Sequence, residues 1–477
     1  MITYDQLFIG GQWVAPASSG LIEVRSPHDG SLVGHAAEAT TVDVDGAVAA
    51  ARTAFEEGPW PRMTPEQRQE VVARFDELHL ARATEIAHLI TAENGSPYWF
   101  TSMLQIAVSG QTQGYLQGAR ELAWEEHRPA TGDGETVVRH EPVGVVAAVI
   151  PWNAPHQSAL AKLIPALLAG CTVVLKPSPE TALDGLLLGE IFAEAGFPKG
   201  VVSIVPGGRE TGAHLVSHPD VDKIAFTGST GAGRAIAGAA AESFKRITLE
   251  LGGKSAAIVL EDADLDAVVA GLKYSSFGNN AEACIAHTRI LAPRSRYEEV
   301  VGAVAALADS LTVGDPSDPE TFIGPMVRAD QAERIRSYIE LGVREGARLV
   351  TGGPDVPEGL EGGHYVRPTV FADVDNSMRI AREEIFGPVL VVIPFDDEDE
   401  ALRIANDSPY GLGGAVWTAD REHGLEIARR VRTGTFHVNG AALDMQAPFG
   451  GFKASGIGRE FGGAGLRHYT ELKAIAI

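Results

Sequence analysis

The chain has 477 residues, 45% of them apolar and 21% charged, which is the balance of a globular protein with about three structural units. Its 63 acidic residues against 39 Lys and Arg leave a formal charge of −24, a field that repels phosphate backbones and argues against nucleic acid as a partner. Two cysteines are too few for a disulfide framework and fit a reducing compartment.

The opening MITYDQLFIGGQWV has no basic segment leading into an apolar run, so no signal peptide is expected and the cytoplasm is the expected location. Residues 46–92 predict helices rich in Ala, Glu and Arg, interrupted at GPWPRMTPEQ. The polar stretch HRPATGDGETVVRHEPV (127–143) is strand-like. It is expected to form an arm with the tail GLRHYTELKAIAI, whose apolar end is better paired than left in water.

From Val143 a regular alternation begins. The longest apolar stretch, VGVVAAVIPW, falls well short of the roughly twenty residues a membrane helix needs, so it predicts a buried strand and no membrane association. Strands are expected in VGVVAAVI, CTVVLK, VVSIVPG, VDKIAFTGS and RITLELGG. Helices are expected between them in SALAKLIPALLAG, TALDGLLLGEIFAEAG, TGAHLVSH and AGRAIAGAAAES. Short apolar runs alternating with helices predict βαβ units and a parallel sheet, with ligands at the carboxyl ends of its strands. A second alternation, from SAAIVL through RILA, RYEEVVGAVAALADSL, ARLVTGG, GPVLVVIPF and GGAVWTA to about Gly440, predicts another α/β unit.

The strand ends carry the chemistry. PWNAP, KPSPET, PGG and TGSTGAGR follow the first four strands. In TGSTGAG a strand meets glycines and then a helix, whose first N–H groups suit a diphosphate; the order G-x-x-G-x-G is not the usual dinucleotide fingerprint, and a plain tight turn explains it equally. Lys176, at a strand end before Pro177, is either a ligand-binding amine or a solvated lysine. Glu250 ends an apolar strand ahead of two glycines, where burial would raise its pKa toward a base useful near neutral pH; an edge-strand surface residue is the alternative. Cys284, in FGNNAEACIAHTRI, is a candidate nucleophile or a small buried apolar residue. One cysteine with one nearby His287 is not a zinc set, so no metal is expected. Cys171 opens an apolar run and reads as core.

Taken in order, PWNAP (151–155), KPSPET (176–181), FTGSTGAGR (226–234), LELGGK (249–254), Cys284, EEIFGPV (383–389), SPYGL (408–412) and PFGGFKASGIGRE (448–460) resemble the aldehyde dehydrogenase superfamily of NAD(P)-dependent enzymes over essentially the whole chain. Glu250 and Cys284 lie 34 residues apart, a spacing similar to that of the hydrolytic branch. The resemblance implies an α/β fold of two doubly wound domains plus a small β oligomerisation arm. A cofactor domain would take residues 1–122 and 144–250, a catalytic domain 251–440, and the arm and tail 123–143 and 441–477. It implies oxidation of an aldehyde to a carboxylic acid. Cys284 would form a thiohemiacetal and then a thioester, Asn153 and the Cys284 N–H would hold the oxyanion, and Glu250 would activate the hydrolytic water. A cofactor site is implied at Ile150, Pro151, Trp152, Lys176, Ser178, Pro206, Gly207, Gly228, Ser229, Gly233, Glu250, Leu251, Gly252, Glu384 and Phe386. The swapped arm and tail of the family imply a homodimer or homotetramer.

Two positions depart from the family pattern. Ala281-Glu282 stands where Gly-Gln is usual, and a carboxylate near Cys284 would disfavour its thiolate unless it points away. Pro179 stands where NAD-selective members often carry a glutamate for the adenosine ribose; NAD is expected and NADP stays admissible. A CoA-acylating relative and a non-catalytic nucleotide-binding homologue are the competing readings. Glu250 argues against the first, and only the altered NNAEAC loop supports the second. Trp99, Phe100, Leu104, the neighbours of Cys284 and AALDMQAPF (441–449) are the pocket candidates. With no clear cationic anchor among them, an uncharged aldehyde is expected.

Overall fold

Five short parallel strands form the centre of an eight-stranded sheet. Their order in space is Arg246–Glu250, Lys223–Thr227, Val145–Val149, Thr172–Lys176 and Val202–Ile204. Val145–Val149 and Thr172–Lys176 are buried along their whole length, because helices cover both faces of the sheet. A computed structural model describes all residues, 1–477.

The chain leaves Val145–Val149 toward Thr172–Lys176 and returns later on the other side, at Lys223–Thr227. That reversal opens a crevice at the carboxyl ends of Val145–Val149 and Lys223–Thr227. Ile150 to Asn153 leave one of these strands and Gly228 to Gly233 leave the other, so two motifs 75 residues apart become neighbours. The outer strands are antiparallel: the hairpin Leu7–Ile9 and Gln12–Val14 on one side, Gly456–Ile457 on the other.

The second sheet has seven strands, ordered Arg348–Thr351, Thr369–Ala372, Val389–Phe395, His287–Pro293, Ser255–Val259, Gly414–Trp417 and His437–Val438. All neighbours are parallel except the first pair. A three-stranded antiparallel sheet joins Glu125–Pro129, Glu135–Pro142 and Thr470–Ala476, so the apolar tail does pair with the polar stretch as expected. Of the segment 441–477 expected to form the tail, only Thr470–Ala476 lies in that sheet; Gly456–Ile457 instead extends the first sheet beside Glu250. A further small sheet holds Ile2–Tyr4, Leu21–Arg25 and Leu32–Ala37.

The helices of the amino-terminal part run Thr41–Glu56, Pro65–Ala81 and Ala83–Asn94, close to the expected span. The 24-residue helix Tyr98–Glu121 went unread in the sequence, since Gly110, Gly114 and Gly118 weaken its local preference. Packing explains two of those glycines. A Cβ on Gly118 would lie 2.6 Å from the backbone of Gly463, and one on Gly114 would press on Gln446. No helix is long and apolar enough to cross a membrane.

Candidate active site

The site lies where the two large sheets face each other with their strand ends. Cys284 follows a short turn, Gly278–Ala281, in which Asn279, Asn280 and Ala281 all take left-handed φ values of 53°, 58° and 56°. Three such residues in a row are costly, and side-chain bonds hold them. Asn280 donates to the carbonyls of Gly95 and Pro325, both at 3.0 Å, and accepts from the Gly324 N–H at 2.7 Å. Asn279 donates to the Asn153 carbonyl at 2.8 Å.

That turn brings the nucleophile loop onto the first sheet. The Asn153 amide donates to the Glu282 carbonyl at 2.7 Å, two residues before Cys284. Asn94 holds the preceding residue through the Trp152 carbonyl at 2.9 Å. Gly253 faces the Cys284 carbonyl so closely that any side chain there would collide with it. Asn153, Gly253 and Cys284, widely separated in sequence, are thus brought together.

Burial pushes the Cys284 thiol up to about 12, and the Glu384 and Glu250 carboxyls add to the rise. Glu282 does not contribute. Its side chain is only 3% exposed and its Oε1 accepts from the Val327 N–H at 3.3 Å. Burial also lifts its carboxyl well above the usual range. The repulsion that the sequence allowed for does not arise, because the carboxyl is used as a loop anchor. His287 has no place beside Cys284 either. It packs edge-on against Trp417 and His437, and burial lowers its pKa to about 3. Cys171 is fully buried in the core.

Glu250 ends its strand 3% exposed, with no hydrogen-bond partner in the chain for either carboxyl oxygen. Burial raises its pKa well above the usual value, and the nearby Glu460 carboxylate raises it further; Lys162 and Arg459 pull the other way. An orphaned carboxyl this deep is expensive unless it serves a bound water or substrate. Gly450 lies against it, with φ at 149°, and a Cβ there would sit 2.6 Å from Glu250 Oε1.

Lys162, Glu460 and Tyr115 were not singled out in the sequence. Lys162 Nζ pairs with Glu460 Oε1 at 2.7 Å, both buried, and donates to the partly buried Thr227 at 2.6 Å. A lone lysine in the apolar run SALAKLIPALL was the available signal, since a buried ammonium needs a partner. Tyr115 accepts from the Phe461 N–H and donates to the Ala161 carbonyl.

Of the residues expected to hold a cofactor, Lys176 ends the strand Thr172–Lys176 and Ser229 follows the strand Lys223–Thr227. Ser229 caps the helix Thr230–Ala241, accepting from the Ala232 N–H at 3.2 Å, so the helix start faces the strand ends. Lys176 is 7% exposed and its amine makes no hydrogen bond within the chain; burial lowers its pKa to about 8. Glu384 accepts from the Gly253 N–H at 2.9 Å, and a side chain on Gly252 would strike its carboxylate. Phe386 meets Trp152 edge to face at 5.5 Å. Gln331 and Arg334, on the helix Ala329–Arg344, hold the carbonyls of Phe386, Ile385 and Glu384. A free buried amine, a helix start and a carboxylate in one crevice fit a dinucleotide with its diphosphate and ribose hydroxyls. No group of three or more His, Cys, Asp or Glu side chains is placed to hold a metal.

Around Cys284 the surface is apolar: Ala161, Leu412, Phe449 and Phe461, with Ile285, Leu443 and Met445 partly exposed. Of the pocket candidates, the 441–449 segment is brought to Cys284. Leu104 is in the main core, and Trp99 stacks on Phe322 at 4.8 Å beside a separate cleft of about 350 Å³.

Comparison with known proteins agrees with this geometry. The aldehyde dehydrogenase family model matches residues 13–475. Geranial dehydrogenase of Castellaniella defragrans is 49% identical over 475 residues, covering 99% of each chain. The crystal structure of a Mycobacterium tuberculosis aldehyde dehydrogenase complexed with NAD+ superimposes with a TM-score of 0.97 at 49% identity, covering 100% of this chain and 98% of that one. A mutant of aldehyde dehydrogenase C from Pseudomonas syringae, in complex with NAD+ and octanal, superimposes with a TM-score of 0.95 at 42% identity, covering 99% and 96%.

Proposed function

The chain belongs to the aldehyde dehydrogenase family, and from that premise we propose that Cys284, Asn153 and Glu250 carry the reaction. The protein is an enzyme that oxidises aldehydes to carboxylic acids with NAD. The observation that carries the residue assignment is the cysteine loop bonded to Asn153 together with the orphaned, buried carboxyl of Glu250 on the other sheet.

Cys284 Sγ, its thiol proton passing to solvent, attacks the aldehyde carbon. The resulting alkoxide of the thiohemiacetal is held by the Cys284 N–H and the Asn153 amide, which turns from the Glu282 carbonyl. Bound NAD supplies the hydride acceptor. Loss of hydride from the thiohemiacetal carbon leaves a thioester on Cys284. Glu250 then takes a proton from water as its oxygen attacks the thioester, and Cys284 leaves as the thiolate. Burial and the Glu460 carboxylate raise the Glu250 pKa, which strengthens it as a base toward that water. Lys176, Ser229, Glu384 and Phe386, with the glycines beside them, hold the cofactor.

The apolar side chains packed about Cys284 favour an uncharged aldehyde of medium length. Relatives that act on or bind geranial and octanal support this reading. A panel of linear, branched, aromatic and charged aldehydes, read as NADH formation with and without CoA, tests it. Medium-length apolar aldehydes should give the highest kcat/KM and free acid as product. A preference for a charged aldehyde, or a requirement for CoA, overturns it.

We further propose cofactor and catalytic domains with the boundaries given above, a cytoplasmic location, and a homodimer or homotetramer. Both outer edges of the arm sheet, at Glu125–Pro129 and Thr470–Ala476, lack a strand partner, and Leu472 and Ile477 are 66% and 68% exposed. Light scattering should report two or four copies; a monomer of 50.4 kDa overturns the assembly. Cell fractionation checks the location.

A further inference from the structure

An ion pair joins the turn after Lys176 to the start of a helix in the other half of the molecule. Arg328, the residue before the helix Ala329–Arg344, sends its guanidinium to Glu180 in the turn Pro179–Thr181, just after Lys176. The Ser178 hydroxyl donates to the other Glu180 oxygen, and Asp330 accepts from Arg328 Nε at 2.9 Å. The segment behind Arg328 is fixed by the nucleophile loop. Glu282 accepts from the Val327 N–H, and Asn280 grips Gly324 and Pro325. The Arg328 side chain remains 41% exposed and that of Glu180 only 17%. A half-exposed guanidinium is therefore presented, on an anchored backbone, at the turn that follows Lys176.

This arrangement bears on the choice between the two nicotinamide dinucleotides. They differ only at the adenosine ribose, which carries a 2′-hydroxyl in NAD and a 2′-phosphate in NADP. A lone carboxylate accepts from the hydroxyl and repels the phosphate, whereas an arginine binds the phosphate with two parallel hydrogen bonds. Here Pro179 contributes no charge, and the nearby carboxylate, Glu180, is neutralised by Arg328. We propose that Arg328 is a cofactor-specificity residue: its guanidinium exchanges Glu180 for the 2′-phosphate of NADP, so that the enzyme binds NADP as well as NAD. This rests on the reading above that Lys176 and its neighbours border the adenosine ribose.

Equilibrium binding of NAD and NADP to the full-length enzyme, followed by tryptophan fluorescence without aldehyde, tests it separately from turnover. Arg328→Gln should raise the ratio of NADP to NAD dissociation constants by about tenfold or more, and Arg328→Lys should restore part of the difference. Glu180→Gln, which frees the guanidinium, should lower the same ratio. Rising salt should weaken NADP more than NAD in the native chain, and this gap should close in Arg328→Gln. A ratio unchanged within about threefold in Arg328→Gln, or no NADP binding to the native chain at about 1 mM, overturns the proposal. Native enzyme that binds neither dinucleotide overturns the functional reading itself and this inference with it; NAD binding with an unmoved ratio overturns only the inference.

Discussion

Replacing Cys284 by alanine is expected to abolish aldehyde oxidation, with kcat falling by about 10⁴-fold or more while NAD still binds. The covalent thiohemiacetal cannot form without the sulfur. The residues proposed for the cofactor, Lys176, Ser229 and Glu384, are not disturbed by so small a change. Steady-state rates and NAD titration on the purified variant check both halves; turnover within tenfold of the native rate overturns the nucleophile assignment. The thiol also has a pH signature. Burial together with the Glu384 and Glu250 carboxyls pushes it up to about 12 in the ligand-free chain, so it is protonated at neutral pH. Alkylation of ligand-free enzyme by iodoacetamide should climb with pH throughout the range 6 to 10, with the alanine variant as the blank for Cys171. A plateau near pH 8 would mean that the thiolate already exists before ligands bind.

Glu250→Gln should separate the two halves of the reaction. The amide keeps the size of the side chain against Gly450 but cannot take a proton from water. Hydrolysis of the thioester should slow by about 10² to 10⁴, the usual worth of a positioned general base, while acylation of Cys284 slows less. Stopped-flow traces should therefore show a burst of NADH, close to one per active site, followed by a slow steady state. Equal slowing of both phases would mean that Glu250 acts before the thioester forms, and no slowing would remove it from the mechanism.

The alternating pattern of the chain was legible because parallel strands buried on both faces read as continuous apolar runs, as in VVAAV and TVVLK. The helix Tyr98–Glu121 was not, because its glycines are chosen by what packs on them: Gly463 against Gly118 and Gln446 against Gly114. Cys284, Glu250 and Asn153 were singled out from residue chemistry and a resemblance, and the fold then brought Asn153 to the loop of Cys284. Lys162 and Glu460 escaped notice, since the partner that makes the buried lysine tolerable is 298 residues away.

The sequence by itself determined the α/β class, the family and the chemical identity of the reacting groups, since periodicity and motif order are local properties of the chain. Only the tertiary structure decided which way the ambiguous side chains face. Glu282, beside the nucleophile in sequence, turns to the Val327 N–H, where burial raises its pKa, so it anchors a loop and leaves the sulfur alone. His287 packs away against Trp417. Arg328 and Glu180, 148 residues apart, form an ion pair. Burial and charge pairing depend on three-dimensional neighbours, and these long-range contacts set the state of every titratable group at the site.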